Sequence, residues 1–291
     1  MVLVEPASDQ AIELVGEDVF KQYDNLRDFF SSLDIFLDDN QNNIRVNNKR
    51  RCYAGIGSRE TPLYALVVMQ FLSNYLSEAY TVRSGGADGA DTAFELASRK
   101  NNEIFLPWYG FSFSGDGFVV NDKKALDIAE LLIDGRFIKN LSPIHQHSTE
   151  KMRQSKNESN LKLHRRNCFQ ILGSTLNNPV DFVACWTGDK AIRGEQTSFK
   201  TGGTGTAIRL ASQISVDVFN LSREDHFSRI MSKLRKHDAN IDDKILARIR
   251  FLKNSNDKWL LKSLERENSK FDSEKEFMRI IKSERGVGLS M

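Results

Sequence analysis

Three glycine-bearing stretches constrain the fold of this chain more than anything else in it. They are Gly55-Ile56-Gly57-Ser58-Arg59-Glu60, Ser84-Gly85-Gly86-Ala87-Asp88-Gly89-Ala90-Asp91 and Gly202-Gly203-Thr204-Gly205-Thr206. The first two each end a short apolar run and open a helical pattern. The third opens a helix after a polar loop that follows another apolar run. Glycine lets a backbone turn sharply and approach a ligand closely. The free N–H groups at a helix start attract anions. Three such strand-to-helix turns imply parallel strands whose carboxyl ends share one ligand cleft.

The rest of the chain supports that frame. Cys52-Tyr53-Ala54-Gly55 reads as a first strand, and Pro62 suits the first turn of a helix with Leu66, Met69, Phe71, Leu72, Tyr75 and Leu76 on its buried face. Tyr80-Thr81-Val82 is a second strand, followed by a helix from about Asp88 to Arg99. Residues 103–107 form a third strand, 108–118 a loop, and Asp122 to Leu132 a helix. Residues 135–160 are polar and irregular. A helix from about Ser159 to Leu172 precedes a strand at 179–186 that is apolar on both faces. A helix over Thr206 to Gln213 and a last strand at 216–221 complete the unit. Alternating strands and helices predict an α/β, Rossmann-like parallel sheet with helices on both faces and right-handed crossovers. This central domain spans residues 49–222.

Two flanks differ from it. In residues 1–48, Val15, Val19, Tyr23, Leu26, Phe29, Phe30, Leu33 and Phe36 recur at helical spacing. They predict an amphipathic N-terminal helical extension, suited to packing or to a homo-oligomer contact. Residues 223–291 read as a charged helical region, a solvated appendage with apolar stripes through Ile230, Leu234, Ile245, Ile249 and Leu252. Net charge is only +2, so no global field draws the chain to nucleic acid or membrane. No stretch approaches the roughly 20 apolar residues that span a bilayer. Three cysteines without ligand spacing, and no visible export signal, fit a reduced, cytoplasmic setting. His145 and His147 alternate without further ligands at good spacing, so no metal and no cofactor are expected.

The chemistry of the turns points to phosphate. Gly55-Ile56-Gly57 starts like a dinucleotide fingerprint, but Glu60 stands where its third glycine belongs. No GxxxxGK[ST] loop exists, which argues against P-loop phosphoryl transfer. Ser58 and Arg59 before a helix make a phosphate clamp. Asp88 and Asp91 flank Gly89 at the next helix start, and Glu95 follows one turn on. These three carboxylates either cap and favour the helix dipole or stabilise positive charge at a sugar carbon during glycosidic cleavage. Thr204 and Thr206 offer hydroxyls to phosphate oxygens. Trp186 and Thr187 end the strand before the third turn, and Trp186 suits either base stacking or the core. Arg165 and Asn167, on the helix before that strand, either reach the cleft or stay on the surface. The candidate ligand-binding set is Gly55, Gly57, Ser58, Arg59, Ser84, Gly85, Gly86, Gly89, Trp186, Thr187, Gly202, Gly203, Thr204, Gly205 and Thr206. The candidate catalytic set is Asp88, Asp91 and Glu95.

These motifs together resemble the SMF/DprA–LOG superfamily of Rossmann-like nucleotide binders. Gly57-Ser58-Arg59 and the run from Ser84 to Asp91 look like DprA, and Gly202 to Thr206 looks like the GGxGT core of the LOG phosphoribohydrolases. With His164-Arg165-Arg166-Asn167 and the strand ending at Trp186, the combination is most similar to DprA-like proteins of phages. The resemblance covers about residues 51–221. Arg209 stands where the LOG pattern has its glutamate, and Thr201 where it opens with proline. The resemblance therefore implies a binder of a nucleotide, an ADP-ribose derivative or an NAD-related molecule, such as a phage sensor or sponge. Its second implication is a nucleotide N-glycosidase. The third is a DprA-like mediator on single-stranded DNA, which the near-neutral charge does not favour.

Overall fold

The computed structural model describes residues 51–98, 100–112, 115, 117–134, 158–269 and 271–287. The N-terminal amphipathic helix expected in residues 1–48, most of the irregular stretch 135–160, and His145 and His147 lie outside the described residues. Five strands, β1 (Arg51–Gly55), β2 (Tyr80–Ser84), β3 (Asn102–Ile104), β4 (Phe182–Cys185) and β5 (Asp217–Asn220), form one sheet in the order β3-β2-β1-β4-β5. Every pairing is parallel. The α/β, Rossmann-like architecture expected from the alternating pattern is the one observed.

Side chains alternate across the sheet because a strand has a period of two. Cys52, Ala54 and Ile56 join Val183 and Cys185 on one face. That face is covered by α3 (Lys123–Asp134), α4 (Glu158–Leu172) and α5 (Thr204–Gln213). Tyr53, Ala184 and Trp186 point to the other, under α1 (Leu63–Leu76) and α2 (Ala90–Ala97). Tyr53 stacks on Phe182 there, with ring centroids 5.3 Å apart. Gly55 has a packing task at this point. A Cβ on it would lie 2.5 Å from the Phe94 ring, so glycine lets α2 seat against β1.

Beyond β5 the chain forms α6 (Glu224–His237), α7 (Ile241–Lys253), α8 (Leu261–Ser269) and α9 (Ser273–Val287). This region is helical as the pattern implies, but its apolar stripes do not face solvent. Phe227, Met231, Ile245, Ile249, Trp259 and Phe277 share one cluster with α1 and the inner face of the sheet. They form a third layer on α1. That layer corrects the expected α1 as well. Its buried run is Leu63 through Gln70, nearly all round the helix, while Phe71, Tyr75 and Leu76 are only partly buried. An amphipathic pattern assumes one apolar neighbour, and α1 has the sheet on one side and the C-terminal helices on the other. Among the described residues, no helix is long and apolar enough to cross a membrane.

Candidate functional site

The chain runs from β1 outward through β2 to β3, then returns to the other side of β1 for β4 and β5. The switch point therefore lies between β1 and β4, where open α/β sheets leave a crevice at the strands' carboxyl ends. The backbone keeps this crevice narrow at its floor. Ile56 N–H donates to the Ala184 carbonyl at 3.1 Å, and Ser58 N–H to the Trp186 carbonyl at 3.2 Å. A cavity of about 300 Å³ opens above. Its walls are Gly57–Glu60 after β1, Ala87 and Asp91 after β2, one stripe of α4, the turn from Thr201 to Thr204, and Lys262 of α8.

The α4 stripe is Leu163, Arg166, Asn167 and Gln170, spaced i, i+3, i+4 and i+7 along one helix face. Arg166 Nη1 donates to Asp91 Oδ2 at 2.7 Å, and the pair is buried. The Asp91 carboxylate also accepts the backbone amides of Ala87 and Gly57. Burial pushes this carboxyl above its usual range, opposed by Arg166 and by those amides. One side chain thus ties together the turn after β1, the turn after β2, and α4. Gln170 completes the brace when its amide is oriented to satisfy its neighbours. Its oxygen then accepts from Gly85 N–H at 3.0 Å and Arg166 Nη1 at 3.2 Å, and its nitrogen donates to Asn167 Oδ1 at 3.0 Å. The Phe111 ring lies 5.9 Å from the Arg166 guanidinium carbon. Gly85 is required by this arrangement, since a Cβ there would fall 1.3 Å from Arg166 Nη1.

The opposite wall is held by Asp189. Its carboxylate accepts from Ser198 N–H at 3.0 Å, from Ser198 Oγ at 2.7 Å and from the Thr201 hydroxyl. Burial acts to raise this carboxyl, but hydrogen bonds from Thr201, Ser198 and Thr187 outweigh it and hold the group below its usual range. The loop 187–201 is thereby stapled into two short 3-10 turns, Gly194–Gln196 and Phe199–Thr201. Asn167 Nδ2 then donates to the Gly203 carbonyl at 2.7 Å, joining α4 to the third glycine turn. A Cβ on Gly202 or Gly203 would meet no atom of the described residues within 4 Å. Helix α5 begins at Thr204 at this wall, and in its first turn Gly205 N–H and Thr206 N–H donate to the Gly202 and Gly203 carbonyls at 3.1 and 3.3 Å.

Cationic groups complete the cavity. Arg59 is exposed and pairs with no described carboxylate. Lys262 lies 3.8 Å from Glu60 Oε1, and both side chains are more than half exposed. Such a pair contributes little and is readily exchanged for a ligand anion. Arg266 of α8 donates to the Glu60 carbonyl at 2.9 Å, and Ser263 Oγ to the Thr61 carbonyl at 2.8 Å, so the C-terminal layer holds the first turn directly.

The structure sorts the residues expected from the sequence. Gly57, Ser58, Arg59, Asp91, Gly202, Gly203 and Thr204 line this cavity. Gly205 and Thr206 line a neighbouring one. Gly55, Ser84, Gly85, Gly86 and Gly89 lie behind the wall. Ser84 Oγ donates to the Gly55 carbonyl at 2.7 Å, Gly86 and Gly89 hold φ of 65° and 86°, and Gly89 N–H donates to the Trp259 carbonyl at 3.0 Å. Trp186 is buried in the α1-side cluster, with Arg266 5.6 Å from its ring, and the Thr187 hydroxyl accepts from Asn220 Nδ2 at 2.7 Å. Asp88 is exposed beside the second turn, and Glu95 is buried with Ser112 Oγ 3.4 Å from it. Arg165 turns away to pair with Glu130 of α3. Arg166 entered the sequence reading only as part of the run His164–Asn167, and Gln170, Asp189 and Lys262 escaped it. The polar stripe of α4 was the one available signal for the first two. Comparison of the chain with protein-family models, curated proteins and solved structures gives no match.

Proposed function

We propose that this protein binds a nucleotide or a nucleotide-derived small molecule at the switch-point cavity and holds it without cleaving it. The observation that carries this reading is the wall built by Gly202, Gly203 and the start of α5, which is open to close approach and faces Arg59 and Lys262. Exposed glycine backbone at a helix start, with its positive dipole end, and two exposed cations are means by which proteins hold phosphate esters. Holding is favoured over glycosidic cleavage by the state of Asp91. A carboxylate already engaged by a guanidinium and two backbone amides braces the turns and has little left to offer a sugar carbon. A small ligand is favoured over single-stranded DNA because many cations of the C-terminal helices are spent on ion pairs. Arg235 bonds Asp242 and Glu284, Lys244 bonds Asp238, Arg250 bonds Glu274, and Lys253 bonds Asp272.

Native mass spectrometry of the freshly purified chain, followed by heat release of bound small molecules, tests this. Release of an intact nucleotide or ADP-ribose-type molecule supports the reading. Release of a free base together with a ribose phosphate replaces it with the glycosidase. An empty protein that shifts with single-stranded DNA and with no nucleotide overturns it.

A further inference from the structure

A second cavity, of about 350 Å³, lies on the far side of the same glycine turn. It shares Leu163, Gly202 and Gly203 with the first, so the turn is a ridge between two chambers. Each chamber is near the lower end of the roughly 300–1,000 Å³ typical of small-molecule sites. The second is lined by Phe199, His164, Arg209, Thr197 and Thr206, and among the described residues no carboxylate lines it. Phe199 is 87 % exposed and adds nothing to the core. The backbone that carries it is held, because its 3-10 turn is capped by Ser198 and stapled by Asp189. Arg209 uses Nε to donate to Thr197 Oγ1 at 2.6 Å, which fixes its guanidinium at the chamber wall. His164 Nδ1 is 2.7 Å from Thr206 Oγ1, which orients its ring.

We propose that the two chambers are halves of one site and that the ligand straddles the Gly202–Gly203 ridge, its phosphorylated sugar in the first chamber and an aromatic base on Phe199 in the second. This rests on the nucleotide-binding reading and narrows it to an extended ligand with a base at one end and a second recognised group at the other. A solvent-facing aromatic ring is the surface on which a base stacks, whatever the base. The ridge has no side chain to obstruct the link between the halves.

Isothermal titration of the full chain with ribose 5-phosphate and with ADP-ribose separates the two levels of the claim. The parent chain is expected to bind ADP-ribose roughly ten-fold or more tightly than ribose 5-phosphate, the gain one stacked base supplies. Phe199→Ala is expected to remove that gain and leave ribose 5-phosphate unaffected, with an unchanged melting temperature because the ring is exposed. Arg59→Glu is expected to weaken both. A gain that survives in Phe199→Ala, or an equal loss for both probes, overturns the two-chamber site while leaving the nucleotide reading standing. Failure of the parent chain to bind either probe overturns both.

Discussion

Arg166 Nη1 and Asp91 Oδ2 meet at 2.7 Å, with both side chains almost wholly out of water. The pair joins α4 to the turns after β1 and β2. Removing one partner leaves a buried charge uncompensated, which costs about 3–5 kcal/mol. Arg166→Met should therefore lower the melting temperature sharply, and Asp91→Asn somewhat less, since an amide still accepts from Gly57 and Ala87. The double variant Asp91→Asn/Arg166→Met should recover part of the loss. Strict additivity in a denaturant series would mean the two groups are not coupled.

Two glycines that look alike in the sequence should respond oppositely. Gly85→Ala places a methyl group on the Arg166 guanidinium, so stability should fall and the cavity should lose its back wall. Gly203→Ala meets no atom of the described residues within 4 Å, at an ordinary helical φ of −60°. Its stability should hold or rise by about 0.4–1 kcal/mol, while nucleotide affinity falls because the backbone can no longer be approached. Thermal unfolding and titration calorimetry on the same two variants check both halves.

Arg59→Glu should leave the unfolding midpoint in place, since the side chain is exposed and pairs with no described carboxylate. Nucleotide affinity should drop by about ten-fold or more, as a favourable charge contact becomes repulsive. A large fall in stability would show that Arg59 serves the fold.

Phe277→Ala tests whether the C-terminal layer belongs to the same cooperative unit. Phe277 is fully buried and sits in the cluster that includes α1. Such truncations cost about 3–5 kcal/mol. The expected result is one transition at lower denaturant for both α-helical signal and Trp fluorescence. Two separated transitions would make residues 223–291 an independent appendage.

Acid should loosen the α7–α9 contact at Asp272. Lys253 Nζ, 2.8 Å away, and the amides of Lys275 and Glu274 pull this carboxyl from its ordinary 3.8 to about 2. A folded-state value below the unfolded one means the stabilisation is present above pH 3.8 and is lost as pH falls toward 2. Asp272→Asn should flatten the dependence of stability on pH in that window. The Asp272 side chain is partly exposed, so raising salt should shrink the effect as well.

Most of the sheet was legible in the chain, because strand and helix announce themselves through local periodicity. Cys52 to Gly55, Tyr80 to Val82 and the run before Trp186 are apolar and short, and each lies in a strand of the observed sheet. Gly202 to Thr204 declared a wall of the cavity for a similar reason, since an unusual local composition marks a backbone left bare. The second turn was read less completely. Gly85, Gly86 and Gly89 do belong to a tight turn, but their missing side chains make room for Arg166, Leu106 and the Arg59 backbone rather than for a ligand.

The sequence by itself determined the α/β class, the order of its elements and the three places where the backbone turns on glycine, because each depends on residues a few positions apart. Only the tertiary structure decided that Asp91 belongs to Arg166, 75 positions away, and that Lys262 of the C-terminal layer stands at the mouth of a cavity begun at Gly57. Ion pairing and burial act through space across any sequence separation. A carboxylate at a helix start reads the same in the chain whether its partner is water, a sugar or a buried guanidinium.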